Sequence, residues 1–355
     1  MLYANITGWG KCAPPARLTN DDLATFMDTD DQWIVSRTGI KERRISHVPV
    51  SDLAHVACAR ALAAAGKGAD EVDLIIFGSC SFDQIVPNAA SRVQQLLGAV
   101  NAASIDLNTA CTSGMYGLSV ATAMIRTGSV KSALVIGAEV TSQLMDWSNR
   151  DVAVLFGDGA AAFYLEASDE KSGVLAESLS CFGENRDILA VKGWGVDAVK
   201  ERTIQGDTTW DFVGQEIFKR AVLGMSNASE KVLEKVGMSM DEIDLVIPHQ
   251  ANLRIIDALA KRLSASADKV FINVHRYGNM SAATAPMALV EALEEGRIKP
   301  GANLLVPAFG AGLSLSAHLI HWGTRTEPLA TSDVDLPPCD KTGLQLIQEI
   351  IAARK

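Results

Sequence analysis

Paired cysteine motifs, long apolar runs and excess positive charge are all missing from this sequence, and each absence excludes a class of protein. The six cysteines, at positions 12, 58, 80, 111, 181 and 339, show no CxxC or CxxH spacing. Neither a zinc site nor a disulfide framework is indicated, and reduced thiols are expected. No apolar run reaches transmembrane length, and the opening Met1–Thr7 lacks the basic and apolar regions of a secretory leader. A cytoplasmic protein with no membrane segment is expected. Lys and Arg number 32 against 42 Asp and Glu, a net charge of −10, which argues against general binding to nucleic acid or anionic membranes. An acidic partner would need a local basic patch.

The 355 residues are 48% hydrophobic, enough for one large domain or two of ordinary size. Apolar runs at 73–79 and 132–138 read as strands, 153–165 reads as a tight Gly turn leading into a strand, and the stretches 51–66 and 88–97 and the small-residue pattern after Cys111 read as helices. Their alternation predicts an α/β protein with buried sheets. A short helix is expected from a Thr19 or Asn20 cap through Met27. A polar covering region should precede Trp210, where one helix starts, and another runs to about Val236.

The sequence then repeats itself. Leu62 to Ile76 aligns without gaps on Leu233 to Ile247, with Asp-Glu-Val-Asp-Leu in the first copy and Asp-Glu-Ile-Asp-Leu in the second. Farther on, Gly128 to Ala138 resembles Gly296 to Ala308, in the same order at an offset near 170. Two versions of one α/β unit are predicted, related by a pseudo-twofold, with a site where they meet. In this register Cys111 corresponds roughly to Gly278-Asn279, so a loop carrying Cys and a loop carrying Asn should face a common centre.

Cys111 falls where an apolar approach turns into a helix. Amides at a helix N-terminus favour a thiolate and can hold an oxyanion, which predicts a depressed thiol pKa. A lone cysteine is equally well a small buried hydrophobe. His249, in Pro248-His249-Gln250-Ala251-Asn252, sits at the carboxyl end of the repeated strand, where open α/β sheets place their sites. By itself it is evenly balanced between a catalytic and a structural role. Trp33 and Arg37 share a helix face and suit a flat ring and a phosphate, yet spacing alone favours a packed Trp and a solvated Arg.

Cys111 in its helix-start turn, His249-Gln-Ala-Asn-Leu-Arg254, Tyr277-Gly-Asn279-Met-Ser-Ala-Ala and Phe309-Gly-Ala311-Gly312 occur in the order and spacing of the β-ketoacyl-acyl-carrier-protein synthase III family. Thr29-Asp-Asp-Gln-Trp33-Ile-Val-Ser-Arg37 resembles that family too, and the likeness spans residues 1 to about 322. The resemblance implies a thiolase-like fold, a duplicated five-layer αβαβα sandwich, usually a homodimer. The N-terminal half, 1–170, would carry the nucleophile, and the C-terminal half, 210–322, the His and Asn. Residues 171–209 would connect or cover, and 323–355 would be an extension with a helix.

The resemblance also implies the chemistry. Cys111 takes an acyl group from acyl-CoA, malonyl-acyl carrier protein enters, and His249 and Asn279 stabilise the enolate formed as CO2 leaves. The amides of Cys111 and Ala311 hold the oxyanion of the attacked thioester. Trp33, Arg37 and Arg150 hold the CoA nucleotide, and Asn252 lies near the pantetheine path. Arg254, with Lys261 and Arg262, offers a basic patch to the carrier protein, although a solvated helix face explains the last two equally well. No metal or redox cofactor is implied, the coenzyme A thioester being a substrate.

Three stretches depart from the family pattern: Thr112-Ser113-Gly114-Met115, Leu313-Ser314-Leu315, and Ile85-Val86-Pro87 where a bulky aromatic usually closes the acyl pocket. They raise the alternative of medium-chain primers. A condensing enzyme of secondary metabolism would share the same three residues. A non-catalytic acyl-binding subunit is a further alternative, against which the intact Cys, His and Asn argue.

Overall fold

The computed structural model describes residues 2–194 and 208–354. Its first half runs β1 (Tyr3–Cys12), β2 (Ala16–Thr19), α1 (Asn20–Ala24), α2 (Asp31–Thr38), β3 (Glu42–Ile45), α3 (Val50–Ala65), β4 (Leu74–Gly78), α4 (Ala89–Leu97), β5 (Ala103–Leu107), α5 (Ser113–Arg126), β6 (Ser132–Val140), α6 (Arg150–Ala153) and β7 (Asp158–Ser168). Then follow β8 (Gly173–Cys181), β9 (Leu189–Lys192), β10 (Thr209–Phe212), α7 (Gly214–Val236), β11 (Leu245–Val246), α8 (Leu253–Arg262), α9 (Val274–Tyr277), α10 (Thr284–Glu294), β12 (Asn303–Gly310), β13 (Ser314–His321) and α11 (Gly343–Ala353).

The strands form two main sheets, ordered β1-β7-β6-β4-β5 and β11-β12-β13-β8. Every residue of β4 and β6 is buried, as continuous apolar strands covered on both faces must be. The alanine-rich α3 and α4 pack on the outer face of the first sheet. Its inner face meets α5 and α10, which also touch β12 and β13 of the second sheet. The far face of that sheet is closed by α7 and α8. These are the five layers of the expected α/β sandwich. Small residues set their spacing: a Cβ on Gly8 of β1 would lie 2.1 Å from the Ala61 carbonyl of α3.

The repeat has a structural counterpart. In each half a 3-10 turn, Ala69–Glu71 or Met240–Glu242, leads into the equivalent strand, β4 or β11. The Asp73 carboxylate accepts from the amides of Lys131 and Ser132, and Asp244 accepts from that of Asn303. Each aspartate thereby ties its own strand to the next one in its sheet.

Three expectations require correction. Part of the proposed covering region is β8, which pairs with β13 in the second sheet; residues 195–207 of that region lie outside the described residues. Trp210 belongs to β10, paired with β9, and does not start a helix. A single helix, α7, spans 214–236 in place of two, its apolar face continuing through Gly224, whose missing side chain leaves room for Leu315. The extension packs on the body: Leu346, Ile347 and Ile350 of α11 are buried with Leu18 and Ile45, and Arg354 donates to the carbonyls of Gln143 and Met145. Among the described residues no helix is long and apolar enough to cross a membrane.

Candidate active site

The two halves contribute matching turns. On the first side β5 leads through a 3-10 turn, Ala110–Thr112, into α5; on the second a 3-10 turn, Ser281–Ala283, leads into α10. Ala110 and Ser281 both adopt positive φ, 51° and 46°, a strained setting for residues with a side chain and one that clusters at functional sites. Asn108 Oδ1 accepts from the Ala110 amide at 3.0 Å, and Asn279 Oδ1 accepts from the Ser281 amide at 2.8 Å. The register is therefore sharper than the sequence showed: Asn279 is equivalent to Asn108, and Cys111 to Ala282. With its oxygen used in this way, Asn279 has its Nδ2 left to donate.

His249 follows β11, and its amide donates to the Pro307 carbonyl at 2.9 Å. Gln250 braces the same loop, its side chain donating to the carbonyls of Pro248 and Phe271 and accepting from the amides of Asn273 and Val274. The imidazole is buried, with Nδ1 against the Thr284 hydroxyl and Nε2 without a partner among the described residues. Burial lowers its pKa to about 3, so the ring is neutral near pH 7.

Cys111, His249 and Asn279 line one cavity of about 660 Å³. It extends past apolar walls that include Leu189, Phe212 and Ile217 to Trp33 and the exposed Arg37. Burial pushes the Cys111 thiol up to about 12; the Ser281 hydroxyl and the amides of Cys111 and Ala311 pull the other way, and Glu139 adds to the rise. The expected depressed pKa is thus corrected: desolvation outweighs the helix start, and the resting group is a thiol. Those two amides nonetheless act on the sulfur in the sense that favours negative charge there.

Residues 105–183 match the family 3-oxoacyl-[acyl-carrier-protein (ACP)] synthase III, and residues 233–322 match its C-terminal part. A β-ketoacyl-[acyl-carrier-protein] synthase III 2 of Vibrio cholerae is 54% identical over 349 residues, 98% of this chain and 96% of its own. The β-ketoacyl-[acyl-carrier-protein] synthase III of Roseiflexus castenholzii is 44% identical, covering 90% of this chain and 98% of its own. This chain belongs to the β-ketoacyl-acyl-carrier-protein synthase III family. The crystal structure of the Aquifex aeolicus synthase III superposes with a TM-score of 0.84 at 40% identity, covering 90% of this chain and all of that one. The Vibrio match extends over 349 of 355 residues and so takes in most of the extension.

The other site residues expected of a synthase III fall as follows. Trp33 and Arg37 share one face of α2, with the Arg37 guanidinium 4.4 Å and that of Arg150 4.8 Å from the Trp33 ring centre. Trp33 is half-buried against the core and Arg37 is exposed, as the packed-Trp, solvated-Arg reading has it, and both line the cavity, with two guanidinium groups over one ring. Arg150 is also anchored to Asp28. Asn252 lines the cavity but also caps α8, its Oδ1 accepting from the Arg254 amide at 2.8 Å. Arg254 is exposed on the cavity rim, Lys261 is exposed farther along α8, and Arg262 donates to Ser226.

Sequence reasoning missed the roles of Glu139, Ser281 and Thr284, and placed Gly310 in the oxyanion loop without its contact to Cys111. Glu139 is fully buried and accepts from Ser79, Ser81 and Ser281; a glutamate inside an apolar strand was the available signal. Ser281 joins it to Cys111. A Cβ on Gly310 would lie 2.9 Å from the Cys111 amide nitrogen and 3.1 Å from the Thr109 carbonyl. Gly310→Ala is therefore expected to lower kcat/KM by about a hundredfold in steady-state assays, because it displaces the Cys111 amide beside the sulfur.

Proposed function

We propose that the cavity carries out the decarboxylative condensation of an acyl-CoA primer with malonyl-acyl carrier protein, giving β-ketoacyl-acyl carrier protein and initiating fatty acid synthesis. The observation that carries this assignment is the convergence of Cys111, His249 and Asn279 on one cavity, from opposite halves of the fold. In the first stage the Cys111 sulfur attacks the acyl-CoA thioester. The tetrahedral oxyanion is held by the amides of Cys111 and Ala311, and CoA leaves as the thiol with the proton that Cys111 gives up. In the second stage the malonyl thioester oxygen takes hydrogen bonds from Asn279 Nδ2 and His249 Nε2. Loss of CO2 leaves an enolate whose carbon attacks the acyl-Cys and releases the Cys111 sulfur. No resident cofactor is needed, because departing CO2 supplies the carbanion.

The Trp33, Arg37 and Arg150 cluster takes the CoA nucleotide, Asn252 flanks the pantetheine arm, and Arg254 meets the acidic carrier protein. The enzyme acts as a homodimer. Support comes from β5, an edge strand of the first sheet with Ala103 and Ile105 exposed, beside Ile85, Val86 and Val100, each at least 75% exposed. An unpaired, apolar edge of this kind is completed when a second copy adds its own β5. Six free thiols suit a cytoplasmic location. Family membership favours this initiating reaction over the secondary-metabolism and medium-chain alternatives.

Incubating the protein with acyl-CoA and malonyl-acyl carrier protein is expected to yield free CoA, CO2 and β-ketoacyl-carrier protein in equal amounts. Release of CO2 with no condensed product would contradict the assignment.

A further inference from the structure

The stabilisation of the enolate rests on His249 donating from Nε2, and a neutral imidazole carries only one N–H. Which nitrogen holds that proton is set by the partner of the other. Nδ1 faces the hydroxyl of Thr284, the first residue of α10. That hydroxyl has a single hydrogen and two acceptors in reach, His249 Nδ1 and the Ser281 carbonyl, the latter at 2.8 Å. The Ser281 carbonyl already accepts the backbone N–H of Thr284, so the hydroxyl can turn away without leaving it bare. Nε2 is buried, has no partner among the described residues and belongs to the side chain that lines the cavity with Cys111 and Asn279. A proton on Nδ1 would present an Nε2 lone pair to the thioester oxygen, setting acceptor against acceptor.

We propose that the Thr284 hydroxyl donates to His249 Nδ1 and fixes the ring as its Nε2–H tautomer, which makes Thr284 a positioning residue for decarboxylation. It touches neither substrate nor the reacting atoms and acts only through the imidazole. The inference rests on the reading of His249 as a donor to the malonyl thioester.

The test separates the two half-reactions in Thr284→Val, which keeps the side-chain shape, and Thr284→Ser, which keeps the hydroxyl. Thr284→Val is expected to acylate Cys111 within about twofold of wild type and to decarboxylate malonyl-acyl carrier protein at least about tenfold more slowly, with Thr284→Ser restoring the rate. Nitrogen NMR of imidazole-labelled wild type should show a pyrrole-like Nε2 and a pyridine-like Nδ1. The inverse spectrum, an unimpaired Thr284→Val, or an equal loss in both half-reactions would overturn the proposal. Normal decarboxylation by His249→Ala would instead overturn the underlying assignment, and the NMR result distinguishes the two failures.

Discussion

His249→Ala and Asn279→Ala are each expected to form the acyl-enzyme on Cys111 yet to decarboxylate malonyl-acyl carrier protein about 10²–10³-fold more slowly than wild type, the usual cost of losing one oxyanion donor. The separation follows from where the two donors sit. In the proposed reaction the acylation oxyanion is served by the backbone amides of Cys111 and Ala311, which neither substitution removes. The enolate of that proposed reaction depends on Asn279 Nδ2, oriented because Oδ1 is held by the Ser281 amide, and on His249 Nε2, buried and without a partner among the described residues. Release of CO2 followed in single turnover, beside acyl-enzyme formation followed by mass, measures both stages. Burial also lowers the His249 pKa from 6.5 to about 3. A base whose pKa falls is neutral at every pH above the new value. The decarboxylation rate should therefore show no imidazole limb between about pH 6 and pH 8. A limb near pH 6.5 abolished by His249→Ala would mean that the ring titrates in the working enzyme.

Cys111→Ala should have the largest effect, lowering condensation on the order of 10⁴-fold or more in product assays, because no other group in the cavity replaces a covalent acyl carrier. Cys80 is near but is no substitute. Burial, then the Glu139 carboxylate and Cys111, hold its thiol well above the ordinary range, whereas the amides of Cys111 and Ala311 favour negative charge on the Cys111 sulfur. Condensation retained in Cys111→Ala would transfer the nucleophile's role elsewhere.

Much of this architecture is legible in the amino-acid order because it is written twice. The Asp73 and Asp244 motifs mark equivalent positions, and each aspartate binds the start of the next strand in its sheet. Apolar strands buried on both faces announce themselves by composition. The register of the catalytic turns was only approximate, since the equivalence of Asn108 and Asn279 lies in side-chain capping and in two strained residues, neither of which leaves a periodic trace. Strand β8 was hidden for a related reason: it lies at the edge of its sheet, and its second half is partly to fully exposed and carries Ser178, Ser180 and Cys181, so it reads as covering loop.

The site was legible in its residue types and less so in its electrostatics. A cysteine at a helix start suggested a thiolate, but the same packing that brings the halves together removes water from the sulfur and places Glu139 beside it. Such long-range partners are invisible to local spacing. The roles of Thr284 and Gly310 are also set entirely by what the other segments bring to them, His249 in one case and the Cys111 amide in the other.

The central claim is that Cys111 carries the acyl group between two thioesters. It is tested most directly by incubating the protein with acyl-CoA, recording its intact mass, and then adding malonyl-acyl carrier protein. Wild type should gain one acyl group, mapped to Cys111, and lose it on the second addition as β-ketoacyl-carrier protein appears, while Cys111→Ala gains nothing. An acyl group found on another residue, or one that malonyl-acyl carrier protein fails to discharge, would contradict the account.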